Sequence, residues 1–551
     1  METNMGNLAN GAALAAMLVS AAPAMAEPIY QPTPVINTTI GPVQGYISAN
    51  ISNFLGIPYA QPPVGPLRWK APVAPVAATS TLQTTAFGNF CPQGLSELSA
   101  GGGSEDCLYL NVQAPSAATA SSNLPVMFWI HGGGLTTGSG QEYNGSSLVQ
   151  TGNVIVVTFN YRLGLLGFLA HPALAAEDTV HHSSGNYGTM DQQLALAWVR
   201  ANIAKFGGNP NNITVFGESA GGQSTITQLV SPTAPKFSRA IIESGAYART
   251  YPTQTSAQQA GASFAAGLGC TGSTETTAIC LRNIPAAALV TDSEASTFNV
   301  TIAPNVDGYV LTQQPFAAVA AGAFAKVPVI DGTNHDEYRL FVSETDLFEE
   351  LAGQQPGYTA AGYVDFIASE GPGYVSQILA QYPLSDYPSP NYAVAAVATD
   401  YAFSCGALVL DALLAEHTTV YSYEFNDPNP PNILLPYDPY MNIQDSHAIE
   451  LEYLFPQYKN ITLNLGPAQF STAQSYLSAG MQAAWTSFAR YGRPFNPRGG
   501  AWLPYSVANH NFTSLISPSQ RVITGFYNDH QCGFWGPAIL AEAGLPSTTP
   551  Y

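Results

Sequence analysis

The chain has 551 residues, of which 46% are hydrophobic and only 9% charged. That composition belongs to a folded protein and excludes a disordered one. A formal net charge of −20 argues against nucleic acid and anionic membrane surfaces as partners, because both repel an acidic surface.

Residues 1–26 read as a secretory signal. An apolar run, Ala12 to Ala22, precedes Ala24-Met25-Ala26, a small-residue cleavage site before Glu27, although the preceding stretch has no Lys or Arg. The run is too short to span a bilayer, and no later stretch reaches ~18 apolar residues, so no transmembrane segment is expected. Residues 34–75 read as short strands and turns that end in the ordered coil Gly56–Gly65, rich in Pro and Gly. Tyr109–Val112, Val126–Ile130 and Val154–Phe159 read as strands. The uninterrupted apolar runs suit strands buried on both faces of a parallel sheet. Apolar residues at helical spacing between Asp191 and Phe206 mark a helix. A β-prone run, Asn212–Phe216, follows, and strands are also expected at Ala240–Ile242 and Val327–Ile330. Ala260–Val310 and Leu347–Ala396 read as helical insertions over the sheet. Alternating strands and helices give an α/β fold with a doubly wound, mostly parallel sheet. Residues 27–551 read as a single catalytic domain, since there is no internal repeat, charge run or long linker.

Six cysteines, an even number, fit three disulfides in an oxidising compartment. Proximity in sequence points to Cys91–Cys107 and Cys270–Cys280, leaving Cys405–Cys532. Asn37, Asn50, Asn144, Asn299, Asn460 and Asn511 stand in sequons and are candidate glycosylation sites if the chain is secreted. Asn212 also stands in one, but too near a core strand to be counted with them.

Val215-Phe216-Gly217-Glu218-Ser219-Ala220-Gly221-Gly222 carries the chemistry. Strand, G-x-S-x-G and helix make a nucleophile elbow, with Ser219 on the tip of a tight turn. Side chains at Gly217 or Gly221 would meet the neighbouring strand or helix. His131-Gly132-Gly133-Gly134 follows the strand ending at Ile130, and its glycines let backbone N–H groups approach a substrate. Gly133, Gly134 and Ala220 would form an oxyanion hole, in which one donor is typically worth ~3 kcal/mol in the transition state. The serine needs a base and the base an orienting acid. Five histidines follow Ser219 (His335, His417, His447, His510 and His530), and Asp336 and Glu337 follow the strand at Ile330. Spacing does not choose among them. No Cys/His cluster has zinc spacing, His181-His182 reads as a loop, and neither a metal nor a cofactor is called for.

These pieces together resemble the type-B carboxylesterase/lipase family of α/β hydrolases. The resemblance rests on Gly56–Gly65, Glu105-Asp106-Cys107-Leu108, His131–Gly134, Asn160-Tyr161-Arg162-Leu163-Gly164, Phe206-Gly207-Gly208-Asn209-Pro210, Gly217–Gly222, Asp336-Glu337 and the His447 segment. It implies the α/β-hydrolase fold, a triad of Ser219, Glu337 and His447, and the three cysteine pairs above. It also implies that Glu218, Ser244 and Glu450 lie behind the triad and orient His447. Two departures stand out. Ala448 follows His447 where the family has Gly, and Tyr338 follows the acid where it usually has Gly. Of these, the change at Tyr338 is expected to be the larger.

The resemblance implies a secreted esterase acting on small-molecule carboxylic esters. The alternatives are a lipase or sterol esterase acting on long-chain lipid esters, or a non-catalytic binding protein on the same fold. Retention of the three triad residues argues against the last. Pro92–Asp106 holds no aromatic residue, where the cholinesterase branch places a choline-binding Trp. In the family's lipases this loop carries the lid. Here Leu95 and Leu98 are its only large apolar residues, and Gly101–Gly103 would end any helix after about two turns. Short to medium acyl esters are therefore the expected substrates.

Overall fold

The uninterrupted apolar runs are strands buried on both faces. The computed structural model describes residues 31–551 except 97–98, 295–299, 352, 371–372, 436–437, 461, 464, 498, 500–501 and 519. The expected signal segment and the Asn299 sequon lie outside the described residues. A twelve-stranded sheet forms the centre. In chain order its strands are β1 (Gln31–Pro32), β2 (Tyr46–Ser48), β3 (Ile51–Pro58), β4 (Tyr109–Pro115), β5 (Leu124–Ile130), β6 (Ile155–Phe159), β7 (Gly208–Glu218), β8 (Arg239–Glu243), β9 (Val329–Asn334), β10 (Val420–Phe425), β11 (Phe512–Leu515) and β12 (Arg521–Ile523). Across the sheet they lie in the order β1-β2-β3-β4-β6-β5-β7-β8-β9-β10-β11-β12. From β6 to β11 neighbours are parallel, and both margins are antiparallel.

Alternation along β5 explains its composition. Val126, Phe128 and Ile130 join the core on one face, while Met127 and Trp129 join the core on the other. The helix Tyr187–Asn202 closes the first face through Leu196 and Val199. The helix Thr472–Tyr491 closes the second through Leu477, Met481, Ala484, Trp485 and Phe488, at helical spacing. Ser471 and Gln474 form a capping box at its start, and Gly492 ends it in the left-handed conformation.

The connections place the site. The chain leaves β5 for β6 on one side and returns to β7 on the other, so the order reverses at β5. In doubly wound sheets the crevice at such a reversal, beyond the C-terminal strand ends, is where ligands bind.

Two segments bear on the expectations above. The loop between Cys91 and Cys107 holds a hairpin, Gln93–Ser96 paired with Ser99–Gly102, and among the described residues no helix. Gly101, Gly102 and Gly103 all take positive φ, which suits tight turns and discourages helix. The continuous helical run Pro390–Ala415 is long and apolar enough to resemble a membrane span, yet most of it is buried inside the fold.

All six cysteines are paired as expected, with Cys405–Cys532 closing a separation of 127 residues. In the chain-entropy model that loop alone is worth about 5 kcal/mol. Asn37, Asn50 and Asn144 are exposed. Asn460 and Asn511 are a correction: both are buried. Their amide nitrogens donate to Leu434 O and Pro504 O, at 2.8 and 2.9 Å, so neither has room for a glycan in the folded chain.

Candidate active site

Strand β7 ends at Glu218 and the helix Ala220–Val230 begins one residue later. Ser219 between them has φ 55° and ψ −122°, a strained backbone held by its surroundings. Its N–H donates to Glu243 O at 2.9 Å. A Cβ on Gly217 would lie 2.5 Å from Ile130 O, and one on Gly221 only 1.9 Å from the same oxygen. Both positions therefore require glycine.

The loop after β5 packs on this turn. A Cβ on Gly132 would sit 3.1 Å from Ser219 Cβ. Gly133 O accepts from the N–H groups of Thr136 and Thr137, both at 2.9 Å, which closes the loop on itself. Among the described residues, the N–H groups of Gly133, Gly134 and Ala220 donate to no protein acceptor. His131 is fully buried, stacked on Tyr161, and burial lowers its pKa to about 4. It is thus a neutral packing residue.

His447 is brought to the same end of the sheet by the loop after β10. Its Nδ1 lies 2.6 Å from Glu337 Oε2, and its N–H donates to Glu337 O at 3.1 Å. Glu337 Oε1 accepts from Thr333 Oγ1 and Asn334 N–H, both at 2.7 Å. Phe341 and Phe403 flank the imidazole, each with its ring centre 5.0 Å away. Contacts distinguish the candidates that spacing left open. Asp336 turns away to Arg339 at 2.9 Å. His335 and His530 face Glu424. His417 lies by Ala320 O, and His510 by Tyr551 O. His181 stacks on Tyr309 in a turn.

Glu218, Glu243 and Glu450 are buried beneath the elbow. Burial, and then the other carboxylates of the group, push Glu218 and Glu450 well above the usual range. Burial pushes Glu243 up to about 8, against a hydrogen bond from Trp485 Nε1 at 2.8 Å. Of these three, Glu218 alone among the described residues approaches the imidazole, with Oε1 3.2 Å from His447 Nε2. Glu450 acts one step removed, through Asn334 Nδ2 at 2.5 Å. Ser244 Oγ is buried and, among the described residues, has no partner, so the orienting role expected of it has no hydrogen bond to act through. Glu243, Trp485, Thr333 and Asn334 were not anticipated. The available signal was a charged residue, Glu243, closing the apolar run of β8.

The two family departures exchange rank. Tyr338 does not take positive φ; its N–H donates to Thr399 Oγ1 at 2.9 Å and its ring rests on Phe341. Ala448 has φ 63°, the left-handed region where a Cβ is disfavoured.

Residues 32–535 match the carboxylesterase family. The fumonisin B1 esterase of Sphingopyxis macrogoltabida is 36% identical over 498 residues, covering 87% of this chain and 86% of that protein. The para-nitrobenzyl esterase of Bacillus subtilis is 35% identical over 477 residues, covering 84% and 90%. Among solved structures, a PNB esterase superposes with a TM-score of 0.76 at 31% identity, covering 91% of this chain and 99% of that one. A carboxylesterase from Geobacillus stearothermophilus gives 0.77 at 29% identity, with coverage of 91% and 99%.

Two outcomes follow from this geometry. Ala448→Gly should stabilise the protein by roughly 0.5–1 kcal/mol, because relief of left-handed strain exceeds the added freedom of the unfolded chain. A higher denaturant midpoint at unchanged slope checks this; a lower one would mean that packing of the Ala448 methyl dominates. The second outcome concerns pH. A carboxyl raised to about 8 when folded favours the folded state while protonated. Its contribution is complete below the unfolded value of ~4.5 and is lost as pH rises toward that of the folded group. Glu243→Gln keeps an acceptor for Trp485 and removes the titration. Urea melts at ~5 and ~8 should show a smaller loss of stability across that range in the variant than in the wild type, by up to a few kcal/mol.

Proposed function

The chain belongs to the carboxylesterase family, and on that premise we propose that it is an exported serine esterase with Ser219, His447 and Glu337 as its triad. The observation that carries this reading is the 2.6 Å contact between His447 Nδ1 and Glu337 Oε2, behind a serine held on a strained elbow. With Nδ1–H donated to the carboxylate, Nε2 keeps the lone pair. Among the described residues Nε2 makes no hydrogen bond to protein, its 3.2 Å approach to Glu218 Oε1 included, and on this reading its lone pair takes the Ser219 hydroxyl proton as Oγ attacks an ester carbonyl. The negative oxygen of the tetrahedral intermediate meets the N–H groups of Gly133, Gly134 and Ala220. The imidazolium returns its proton to the departing alcohol. Water then repeats the sequence on the acyl-enzyme and releases the acid. Glu337 holds the tautomer and balances the imidazolium charge.

Export is supported by the three disulfides and by the signal-like residues 1–26. Short to medium acyl esters are supported by the hairpin between Cys91 and Cys107, which offers no broad apolar helical face. One observation favours the lipase reading. A cavity of about 490 Å³, lined by Tyr338, Phe366, Ile378, Tyr401 and Trp535, lies among the insertion helices next to the residue after Glu337, and long acyl chains would suit such a lining.

Ser219→Ala should abolish organophosphate labelling and lower turnover by on the order of 10⁴-fold or more, with His447→Ala similarly severe. Glu337→Gln should be more damaging than Asp336→Asn. Labelling of a different serine in the wild type would remove the assignment. A panel of p-nitrophenyl esters should show ordinary saturation with short acyl chains and no jump when substrate exceeds its solubility. A sharp rise on emulsified long-chain triglyceride would instead select the lipase reading.

A further inference from the structure

Away from the triad, three side chains from distant parts of the sequence face one point. His335 follows β9, Glu424 lies on β10, and His530 precedes the helix Cys532–Glu542. His335 Nδ1 and His530 Nε2 each lie 2.8 Å from the same oxygen, Glu424 Oε1. The ligand atoms of the three residues all lie within 4.8 Å of one another. The other nitrogen of His530, Nδ1, lies 2.7 Å from Asp400 Oδ1. Asp400 is itself held by Tyr382, whose hydroxyl donates to Oδ2 at 2.7 Å. Glu424 Oε2 accepts from Asn426 Nδ2 at 2.8 Å. Glu424 and His530 are buried, while the side chain of His335 is 40% exposed. His335, His530, Asp400 and Asp529 line an open cavity of about 530 Å³.

We propose that His335, Glu424 and His530 form a binding site for one divalent transition-metal ion, of which zinc is the type. Two imidazoles and a carboxylate are a donor set for zinc and its neighbours rather than for calcium or magnesium, which prefer oxygen alone. The carboxylate–imidazole pair of Asp400 and His530 is the arrangement that fixes the tautomer and direction of a metal-bound histidine. Three protein ligands leave a fourth position, and the cavity supplies both an entry path and room for water there. Around a tetrahedral zinc the ligand atoms stand ~3.3 Å apart. The two 2.8 Å contacts must therefore open by about half an ångström, which takes an outward shift of the half-exposed His335 and a small turn of the Glu424 carboxylate away from His530.

Without an ion the same groups form an unbroken hydrogen-bonded chain, Asp400–His530–Glu424–His335, so folding does not depend on the metal. The ion would tie together the loop that carries Glu337, the strand β10 and the C-terminal segment beside the Cys405–Cys532 disulfide. No step of ester hydrolysis passes through it.

The full chain, stripped with a chelator and then dialysed against zinc chloride alone, should retain one zinc per chain by elemental analysis. His335→Ala and Glu424→Gln should each abolish that retention, and Asp400→Asn should weaken binding by ~10–100-fold. At a hundredfold excess over Kd, zinc should raise the wild-type Tm by about 2 °C and leave that of His335→Ala unchanged. Cobalt(II) should give the visible absorption of a four-coordinate ion in the wild type only. Failure of the wild type to retain zinc would overturn the proposal and leave the cluster a hydrogen-bond network. Equal retention by His335→Ala would overturn it as well. Because His335 is half exposed, that variant carries the test even if Glu424→Gln does not fold.

Discussion

Two backbones meet at Ile130, and the site is built around that meeting. The carbonyl oxygen of Ile130 occupies space that side chains at Gly217 and Gly221 would need. Parallel pairing sets Ile130 opposite Gly217, so the ends of β5 and β7 are level. The loop leaving β5 and the helix leaving β7 must share one small volume. Ser219 is forced out into a positive-φ conformation, and Gly132 comes to rest against it. Strain of ~1–3 kcal/mol at such a residue persists only where the surroundings over-determine it. Here they do, since both strands are sealed by cores on the two faces of the sheet.

Charge around this turn is governed by burial. Four glutamates lie buried at the same end of the sheet. Glu337 receives hydrogen bonds from Thr333 and Asn334 and faces an imidazole. At Glu218, Glu243 and Glu450 burial outweighs the contacts each carboxyl makes and drives it toward the neutral form. These three carboxyls therefore add little negative charge around the turn. Phe341 and Phe403 cover the imidazole faces and thin the water around it, which strengthens each of these interactions.

One irregular turn connects much of this. The helical run Pro390–Ala415 is interrupted by a π turn at Thr399–Ser404, a distortion often found at functional sites. It places Phe403 on His447, Thr399 under the Tyr338 N–H, and Asp400 on His530. Composition marks the segment only as apolar and helical. The extra residue in the turn is a response to packing, and no local pattern announces it. The Cys91–Cys107 loop shows the same limit. Its leucines and glycines were compatible with a short helix, and cross-strand pairing within a disulfide-closed loop decided for a hairpin.

The sequence by itself determined what depends on local order. Apolar runs marked the sheet, glycines marked the turn that exposes Ser219, and motif order placed a candidate oxyanion loop and a candidate nucleophile on adjoining strand ends. Resemblance then selected Glu337 and His447 where spacing had left Asp336 and four other histidines in play. The tertiary structure decided what depends on distance between remote residues. His447 and Glu337 stand 110 positions apart, and Glu243 meets Trp485 across 242. It also decided the backbone conformation at each departure from the family, leaving Tyr338 unstrained and Ala448 strained. The physical reason is the same throughout. Hydrophobic period and turn chemistry are short-range properties carried by neighbouring residues, whereas a buried polar contact exists only when folding brings separate strand ends together and removes water from between them.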